Sequence, residues 1–310
     1  MGNVTAPHIV VTGAAGYLGR AIVTAAEAQG CQVTKIIRSG TNGIIQDLSA
    51  DSADTALLAQ IKSADAIIHA ASEMSSDWEL HQRSSLPATK NICAVANALD
   101  AHLVLISSIT VYDFAALSIG GIVTENTPIE TAPELRDGYV RAKLEQENIV
   151  AAAVPNTSIL RVGAIYGKDR VMNAHLGIGI GPVLLRLARR GQIPLSHVAH
   201  TAEIAVRAAV ERTSGAVNVL DTDLPDRVRF LSALGKSGWP KLIIPMPWQI
   251  FAACGAVLSF WRTRPGLLHR KVLHARMKPL GYDNTLMRAV FGDDEQPSFE
   301  TLMAQALQHD

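Results

Sequence analysis

The stretch VVTGAAGYLGRAI, residues 10–22, places three glycines between a short apolar run and a helical pattern. Gly13, Gly16 and Gly19 have the spacing G-x-x-G-x-x-G. A tight turn from a strand into a helix needs glycine at positive φ, and the free N–H groups of a helix N-terminus attract anions. A second apolar run, CQVTKIIR, follows the helical pattern, as a dinucleotide-binding loop requires. The stretch therefore predicts a strand, a turn and a helix that bind the pyrophosphate of a dinucleotide.

Apolar runs continue to alternate with helical patterns through the first half of the chain. HIVVTG, CQVTKIIR, ADAIIHAAS and HLVLISS are rich in apolar and β-branched residues. Such runs are typical of parallel strands that are buried on both faces. The predicted fold class is therefore α/β, with a doubly wound parallel sheet of the Rossmann type and a smaller C-terminal substrate-binding region.

The alternation becomes weaker after about Gly167, where glycine, proline and arginine become more frequent. SGAVNVLD, residues 214–221, has the pattern of a late strand that returns to the sheet. We therefore predict an NAD(P)-binding domain of residues 1–167 plus 197–221. The substrate-binding region is predicted to comprise residues 168–196 plus 222–310.

The charge of the chain is balanced, with 28 lysines and arginines against 28 aspartates and glutamates. No net field attracts nucleic acid, so the expected partner is a small-molecule substrate. The cysteines Cys31, Cys93 and Cys254 lie far apart and show neither a metal-ligand spacing nor a disulfide framework, which predicts a cytoplasmic protein. His197 and His200 have a spacing that a metal could use, but no carboxylate or thiol lies nearby in the sequence, and no metal is predicted.

One segment is unusually apolar. Leu242 to Trp261 contains no charged residue over 20 positions, a length that could cross a bilayer. Pro245 and Pro247 interrupt its start, which leaves a helix from about Trp248 that is too short to cross. We expect a buried or lipid-touching helix of the substrate-binding region. Peripheral membrane contact is an alternative, although none is expected.

The end of the second strand bears on the choice of dinucleotide. NAD binding favours an acid there, on the ribose 2′-hydroxyl. This chain has Arg38, whose guanidinium could form paired hydrogen bonds with a 2′-phosphate. NADP is therefore the preferred cofactor, with NAD as the alternative. Asp47 is expected near the adenine edge, or else as a plain turn residue.

Three residues in the middle of the chain are candidates for catalysis. LVLISSITVYD ends an apolar strand in Ser107 and Ser108, and DGYVRAKLEQEN, residues 137–148, places Tyr139 and Lys143 one helical turn apart. With the glycine loop, the strand-end serine and Tyr-x-x-x-Lys in this order, the chain resembles the extended short-chain dehydrogenase/reductase superfamily, in the branch of NAD-dependent epimerases and dehydratases. The resemblance covers about residues 8–221.

The resemblance implies roles for these side chains. Tyr139 would exchange a proton with a substrate hydroxyl or carbonyl, since a nearby cation, Lys143, lowers the pKa of a phenol. Lys143 would also donate to the nicotinamide ribose, and Ser108 would hydrogen-bond the substrate oxygen. We also expect a homodimer, and further cofactor contacts from Tyr17, Leu18, Leu48, His69, Ala70 and Ala71. The side chain of His69 is itself interpreted as a hydrogen-bonded core histidine.

Departures from the family pattern narrow the activity. Ile109 and Thr110 follow Ser108 where dehydratases carry an acidic pair, so dehydration lacks its proton donor. In LRVGAIYG, Ala164 replaces the asparagine that contacts substrate phosphates in many nucleotide-sugar enzymes. These changes favour an uncharged or partly apolar substrate. A nucleotide diphosphate would need cations, and those near in sequence are Arg186, Arg189 and Arg190.

Three remaining features have local interpretations. GIGIGP, residues 177–182, before VLLRLARR is expected to be a mobile substrate loop, with an anion loop at a helix start as the alternative. Asn91 is expected to pack or cap locally. Arg161 is expected to bond within the fold.

The leading functional prediction is an NAD(P)-dependent oxidoreductase that interconverts a secondary alcohol and a ketone by hydride transfer. A nucleotide-sugar epimerase or 4-ketoreductase is the alternative enzyme. The non-enzyme alternative is an NADP-binding redox sensor, which the intact Ser108, Tyr139 and Lys143 argue against.

Overall fold

A computed structural model describes residues 6–250, 270–292 and 295–308. Its strands are β1 (His8–Thr12), β2 (Gln32–Ile37), β3 (Ile44–Ile45), β4 (Ala66–His69), β5 (His102–Ser108), β6 (Ile122–Val123), β7 (Ser158–Val162), β8 (Ala164–Tyr166), β9 (Gly177–Ile180), β10 (Val183–Arg186), β11 (Leu195–His197), β12 (Gly215–Val219), β13 (Leu242–Pro245) and β14 (Gly281–Tyr282). Its helices are α1 (Tyr17–Ala28), α2 (Ala53–Gln60), α3 (Trp78–Arg83), α4 (Ser85–Leu99), α5 (Gly138–Ala153), α6 (Val198–Glu211), α7 (Arg227–Leu234), α8 (Arg270–Met277), α9 (Thr285–Phe291) and α10 (Phe299–Ala306).

Seven strands form a central sheet in the order β12-β7-β5-β4-β1-β2-β3, and every pair in it is parallel. Alternate residues of β1 belong to different cores, with Ile9 and Val11 on the face that α1 and α6 cover and Val10 on the opposite face. Helices α2, α4 and α5 lie on that opposite face. A strand buried on both sides must be apolar almost throughout, which explains the continuous runs in the sequence. The doubly wound α/β fold predicted from those runs is confirmed, and β12 is the late strand expected at residues 214–221.

The segment GIGIGPVLLR forms a β-hairpin, so the predictions of a mobile loop and of a helix start are both wrong. β9 pairs antiparallel with β10, with Ile180 opposite Val183 and Gly177 opposite Arg186. The turn between them contains Gly181, whose φ is +52°. The alternation of Gly and Ile matches the two-residue periodicity of a strand. The short apolar run VLLR is compatible with a strand as well as with a helix.

The apolar segment at residues 242–261 begins with a strand, β13, which the sequence did not predict and which precedes the expected helix. β13 pairs in parallel with β10, and Leu242 and Ile244 are 54% and 41% exposed. A helix begins at Trp248, as expected, but residues 251–261 lie outside the described residues. Within the described ranges, every helix is too short or too polar to span a bilayer.

The buried side chain of Arg227, at the start of α7, links three separate segments. Its guanidinium donates to the carbonyl oxygens of His175, Arg190 and Arg276 at 2.9, 2.5 and 2.6 Å. Because each carbonyl comes from a different part of the chain, this one cation orders the region beyond the carboxyl ends of the sheet.

Candidate active site

The glycine loop connects β1 to α1 as the sequence predicted. Gly13 has φ +65°, a conformation that side chains with a Cβ rarely adopt. A Cβ on Gly13 would lie 2.9 Å from the Ala71 nitrogen, so the loop packs directly on the backbone that follows β4. Gly16 is the N-cap of α1. This close packing of backbone, with a helix N-terminus next to it, is a cradle that suits a pyrophosphate.

A cleft of about 660 Å³ opens beside this loop. Its wall includes many of the residues predicted to bind a cofactor, namely Gly13, Gly16, Arg38, Asp47, Leu48, Ala70 and Ala71. These residues follow β1, β2, β3 and β4, and parallel strands bring their carboxyl ends to one edge of a sheet. The residues present therefore fit a dinucleotide.

Four other predicted cofactor residues do not line the cleft but belong to α1 and β4, whose ends are next to it: Tyr17, Leu18, Gly19 and His69. The Tyr17 hydroxyl donates to the Lys168 carbonyl at 2.9 Å, which ties α1 to the turn after β8. Leu18 packs against the core, and Gly19 is buried within α1. His69 is the last residue of β4.

The His69 imidazole is buried between two threonines. Its Nδ1 is 2.8 Å from the Thr12 hydroxyl and its Nε2 is 3.1 Å from the Thr89 hydroxyl. Burial, with the charge of Lys143 as a smaller cause, lowers the pKa of His69 to about 3. The ring is therefore neutral at physiological pH, in agreement with a hydrogen-bonded core histidine.

The polar wall of the cleft holds two features that the sequence did not reveal. Arg38 donates to Glu73 at 2.6 Å, and Glu73 also lines the cleft. Asn91 donates to the carbonyls of Leu48 and Ala50, both at 2.9 Å, so it tethers a distant turn and the prediction of a local role is wrong. Asp47 accepts hydrogen bonds from Ser49, which lowers the pKa of its carboxyl group.

Ser108, Tyr139 and Lys143 meet at the carboxyl end of β5. The Asp137 carboxylate caps α5 by accepting from the Val140 nitrogen at 3.0 Å, which fixes the first turn that carries Tyr139. Lys143 Nζ lies 5.8 Å from the centroid of the Tyr139 ring and donates to the Ile106 carbonyl at 2.9 Å. The Ser108 hydroxyl lies beside the Tyr139 phenol, and it accepts from the Thr110 hydroxyl at 2.9 Å.

The electrostatics of the pair differ from the expectation. Burial raises the pKa of Tyr139, while the Ser108 hydrogen bond and the charge of Arg170 lower it. Burial also lowers the pKa of Lys143 to about 8, against the opposing charge of Glu147. The predicted lowering of the Tyr139 pKa by Lys143 is therefore corrected, because desolvation is the larger cause and the cation that acts on the phenol is Arg170.

Arg161 bonds within the fold, as the sequence predicted. Its guanidinium forms a bidentate pair with Glu147 at 3.1 and 2.7 Å and donates to the Tyr112 hydroxyl at 3.0 Å. Glu147 also accepts from the Ser107 hydroxyl at 2.5 Å. The Ser107 side chain therefore bonds to the Glu147–Arg161 ion pair, whereas that of its neighbour Ser108 lies beside Tyr139.

The fold brings Asp221 close to His197 and His200, whose spacing the sequence analysis noted. Asp221 Oδ1 accepts from the backbone nitrogen of His197 at 2.9 Å and lies 3.1 Å from His200 Nδ1. Sequence spacing could not indicate this carboxylate because it follows β12. In the part of the chain that the structure describes, no group of three or more metal-binding side chains occurs.

Comparisons with known proteins show which proteins the chain resembles in sequence and in fold. A Streptomyces protein named 3-diazoavenalumate denitrifying reductase is 25% identical over 300 residues, covering 84% of this chain and 95% of its own. The UDP-N-acetylglucosamine 4-epimerase of Bacillus cereus superposes with a TM-score of 0.71 at 16% identity, covering 97% and 98% of the two chains. A dTDP-4-dehydrorhamnose reductase of Clostridium acetobutylicum gives 0.70 at 18% identity, covering 96% and 97%. At these identities the solved structures establish the fold alone.

A family model described as the RmlD substrate binding domain matches residues 7–192. The match covers more than half of the 310 residues, and it includes the glycine loop, Ser108, Tyr139 and Lys143. The protein therefore belongs to the RmlD substrate binding domain family, within the extended short-chain dehydrogenase/reductase superfamily that its motifs resemble.

Proposed function

We propose that the protein is an NAD(P)-dependent oxidoreductase that interconverts a secondary alcohol and a ketone. The observation that carries the proposal is the meeting of Ser108, Tyr139 and Lys143 at the end of β5, beside a cleft that fits a dinucleotide. The family assignment and the reductase and epimerase folds with which the chain superposes support this class of chemistry.

The proposed chemistry divides between the cofactor and the protein. When bound, a nicotinamide cofactor supplies or accepts the hydride. Tyr139 donates its phenolic proton to the carbonyl oxygen during reduction and takes the hydroxyl proton back during oxidation. Ser108 hydrogen-bonds the same oxygen and orients it. Lys143, with a pKa of about 8, is mostly an ammonium at neutral pH and adds positive charge near the developing alkoxide.

Each wall of the cleft has a proposed role in holding the cofactor. The glycine loop and the N-terminus of α1 would bind the pyrophosphate through Gly13, Gly16, Tyr17, Leu18 and Gly19. Asp47, Leu48, His69, Ala70 and Ala71 would surround the adenosine half, and Lys143 would donate to the nicotinamide ribose. We propose NADP as the preferred cofactor because Arg38 offers a guanidinium to a 2′-phosphate and no acid ends β2.

The substrate is proposed to lie between the Rossmann domain, residues 1–167 plus 197–221, and the region of residues 168–196 plus 222–310. Ala164 offers no amide to a diphosphate, which favours an uncharged or partly apolar ketone. The exposed apolar strand β13 belongs to the second region. Burial of an apolar substrate there would contribute roughly 25 cal/mol per Å².

A nucleotide-sugar epimerase or 4-ketoreductase is the second candidate. Arg189 and Arg190 line a further cleft of about 720 Å³ together with Trp248, and cations beside an aromatic ring suit a nucleoside diphosphate. Competition by UDP and dTDP against turnover of a neutral ketone separates the two functions. Micromolar inhibition by either nucleotide would select the second candidate.

Replacement of Tyr139 by Phe tests the main proposal. Because Phe fills the same space without a proton, we expect turnover to fall by about 10²–10⁴-fold while NADPH still binds. Turnover is followed at the absorbance of the reduced nicotinamide, and binding by titration of nicotinamide fluorescence. Near-full turnover of the Tyr139→Phe variant would overturn the mechanism.

A further inference from the structure

An ion pair spans the cleft beside the glycine loop. Arg38 follows β2 and Glu73 lies in the loop after β4, and these two strands flank β1 in the sheet. Arg38 Nη2 donates to Glu73 Oε1 at 2.6 Å, and both residues line the cleft together with Gly13. The pair therefore bridges two sides of the cleft over the carboxyl end of β1.

This pair is accessible to a competing anion. The Arg38 side chain is 75% exposed and that of Glu73 is 24% exposed. Exposed ion pairs contribute little to stability, because water and salt screen them. A phosphate dianion forms paired, charge-assisted hydrogen bonds with a guanidinium, so it can displace the single carboxylate that Arg38 now binds.

Glu73 would nevertheless stay close to any anion that binds Arg38. Its carboxylate already touches the guanidinium, so the two anions would lie within the roughly 8 Å screening length of physiological salt. Like charges at this range repel, and the repulsion opposes the gain from Arg38. The other carboxylate on the wall, Asp47, differs because it is engaged by the Ser49 nitrogen and hydroxyl.

We propose that Glu73 is a specificity-determining residue for the cofactor, which competes with a 2′-phosphate for Arg38. A dinucleotide without that phosphate leaves the pair intact, whereas the phosphorylated dinucleotide must displace Glu73. The preference for NADP over NAD is then smaller than Arg38 alone would give. This inference rests on the proposed function, in which Arg38 contacts the 2′-phosphate.

Titration of NADPH and NADH against the Glu73→Gln variant tests the inference. Glutamine keeps the shape and removes the charge, so NADPH should bind about 5–10-fold more tightly while NADH stays within about twofold. Glu79→Gln removes an equal charge from α3, off the cleft wall, and should change neither affinity. Glu73→Ala is the second variant, with the same expected direction.

The Arg38→Gln background separates competition from plain repulsion. If Glu73 acts by competing for Arg38, the gain from Glu73→Gln should be at least about threefold larger with Arg38 present than without it. An unchanged ratio of NADPH to NADH affinity in both Glu73 variants, or an equal gain in both backgrounds, would overturn the inference. If the wild-type protein binds NADH more tightly than NADPH, the proposed preference for NADP is wrong. The change in the ratio of NADPH to NADH affinity on replacing Glu73 would still test the role of Glu73.

Discussion

The proton affinity of Tyr139 is set by groups that act in opposite directions. Burial raises the pKa, the Ser108 hydrogen bond lowers it, the Asp137 carboxylate raises it and the Arg170 guanidinium lowers it. Arg170 lies in the exposed turn after β8, 5.2 Å from the centroid of the Tyr17 ring. An exposed residue far from Tyr139 in sequence therefore acts on the proposed acid.

Replacement of Arg170 by Gln should shift the pH dependence of ketone reduction. The reactive form is the neutral phenol, so the rate falls as pH rises through the pKa of Tyr139. Removing a cation raises that pKa, so the falling limb should move to higher pH, as measured from kcat with NADPH saturating. Arg207→Gln on α6 removes an equal charge elsewhere and should leave the profile in place. A limb that moves to lower pH would contradict the assignment.

Local patterns predicted Ser108, Tyr139 and Lys143, because a strand end and one helical turn are both readable from spacing. Glu73 and Arg170 could not be chosen in the same way. The ion pair of Glu73 with Arg38 and the position of the Arg170 charge near Tyr139 depend on how the loops after separate strands meet, and no short sequence spacing encodes that. The roles of all these residues in catalysis and binding stay predictions.

At the scale of elements, the position of α5 depends on one close backbone approach. The Gly138 nitrogen donates to the Ser76 carbonyl at 2.9 Å. A Cβ on Gly138 would lie 2.5 Å from both the Ser76 oxygen and the Trp78 nitrogen. The helix that carries Tyr139 thus packs directly on the loop that leads into α3.

Replacement of Gly138 by Ala should push the start of α5 away from that loop. We expect a loss of about 1–3 kcal/mol in the free energy of unfolding from overpacking, and a fall in kcat of about tenfold or more because Tyr139 is the next residue. Gly235→Ala is the matched control for stability. Its Cβ would meet no atom within 4 Å at a helical φ of −56°, so the same substitution should stabilise by about 0.4–1 kcal/mol. Equal stability of the two variants in urea unfolding would refute the steric argument.

Elements of the central sheet could be predicted because strands buried on both faces are apolar nearly throughout. The hairpin of β9 and β10 could not be predicted, since VLLR suits a strand as well as a helix and the glycines of GIGI also suit a loop. The strand β13 was missed for a related reason. Its apolar residues are exposed, and a run without charges normally indicates burial.

For the whole molecule, the buried histidine at the centre of the sheet makes stability depend on pH. The pKa of His69 is about 3 in the fold, against 6.5 for an unperturbed side chain, so the unfolded chain takes up the proton first as pH falls. Its stabilising contribution is complete above pH 6.5 and is lost as pH falls towards 3. By pH 5 the loss from His69 should be about 2 kcal/mol.

Urea unfolding at pH 7 and pH 5 measures this loss. The side chain of the His69→Gln variant takes up no proton in this range. The free energy of unfolding of the variant should therefore fall by about 2 kcal/mol less than that of the wild type between pH 7 and pH 5. An identical fall in the two proteins would show that His69 does not titrate on unfolding. The variant reports on folding alone and needs no substrate.

The arrangement of the second region could not be read from the sequence for a global reason. Arg227 orders it by donating to three carbonyls from segments that are remote in the chain, and backbone oxygens leave no trace in a residue pattern. The region shows weak periodicity even though its aromatic side chains Phe230 and Phe299 are fully buried.

Asn91 fixes the cleft wall at residues 47–50, which is proposed to face the adenosine, before any ligand binds. Its two hydrogen bonds fix the carbonyls of Leu48 and Ala50 against α4. A wall that is ordered during folding loses little conformational entropy when a ligand binds. Under the proposed function, a dinucleotide would meet a preorganised surface there and would not need to rearrange the turn in order to bind.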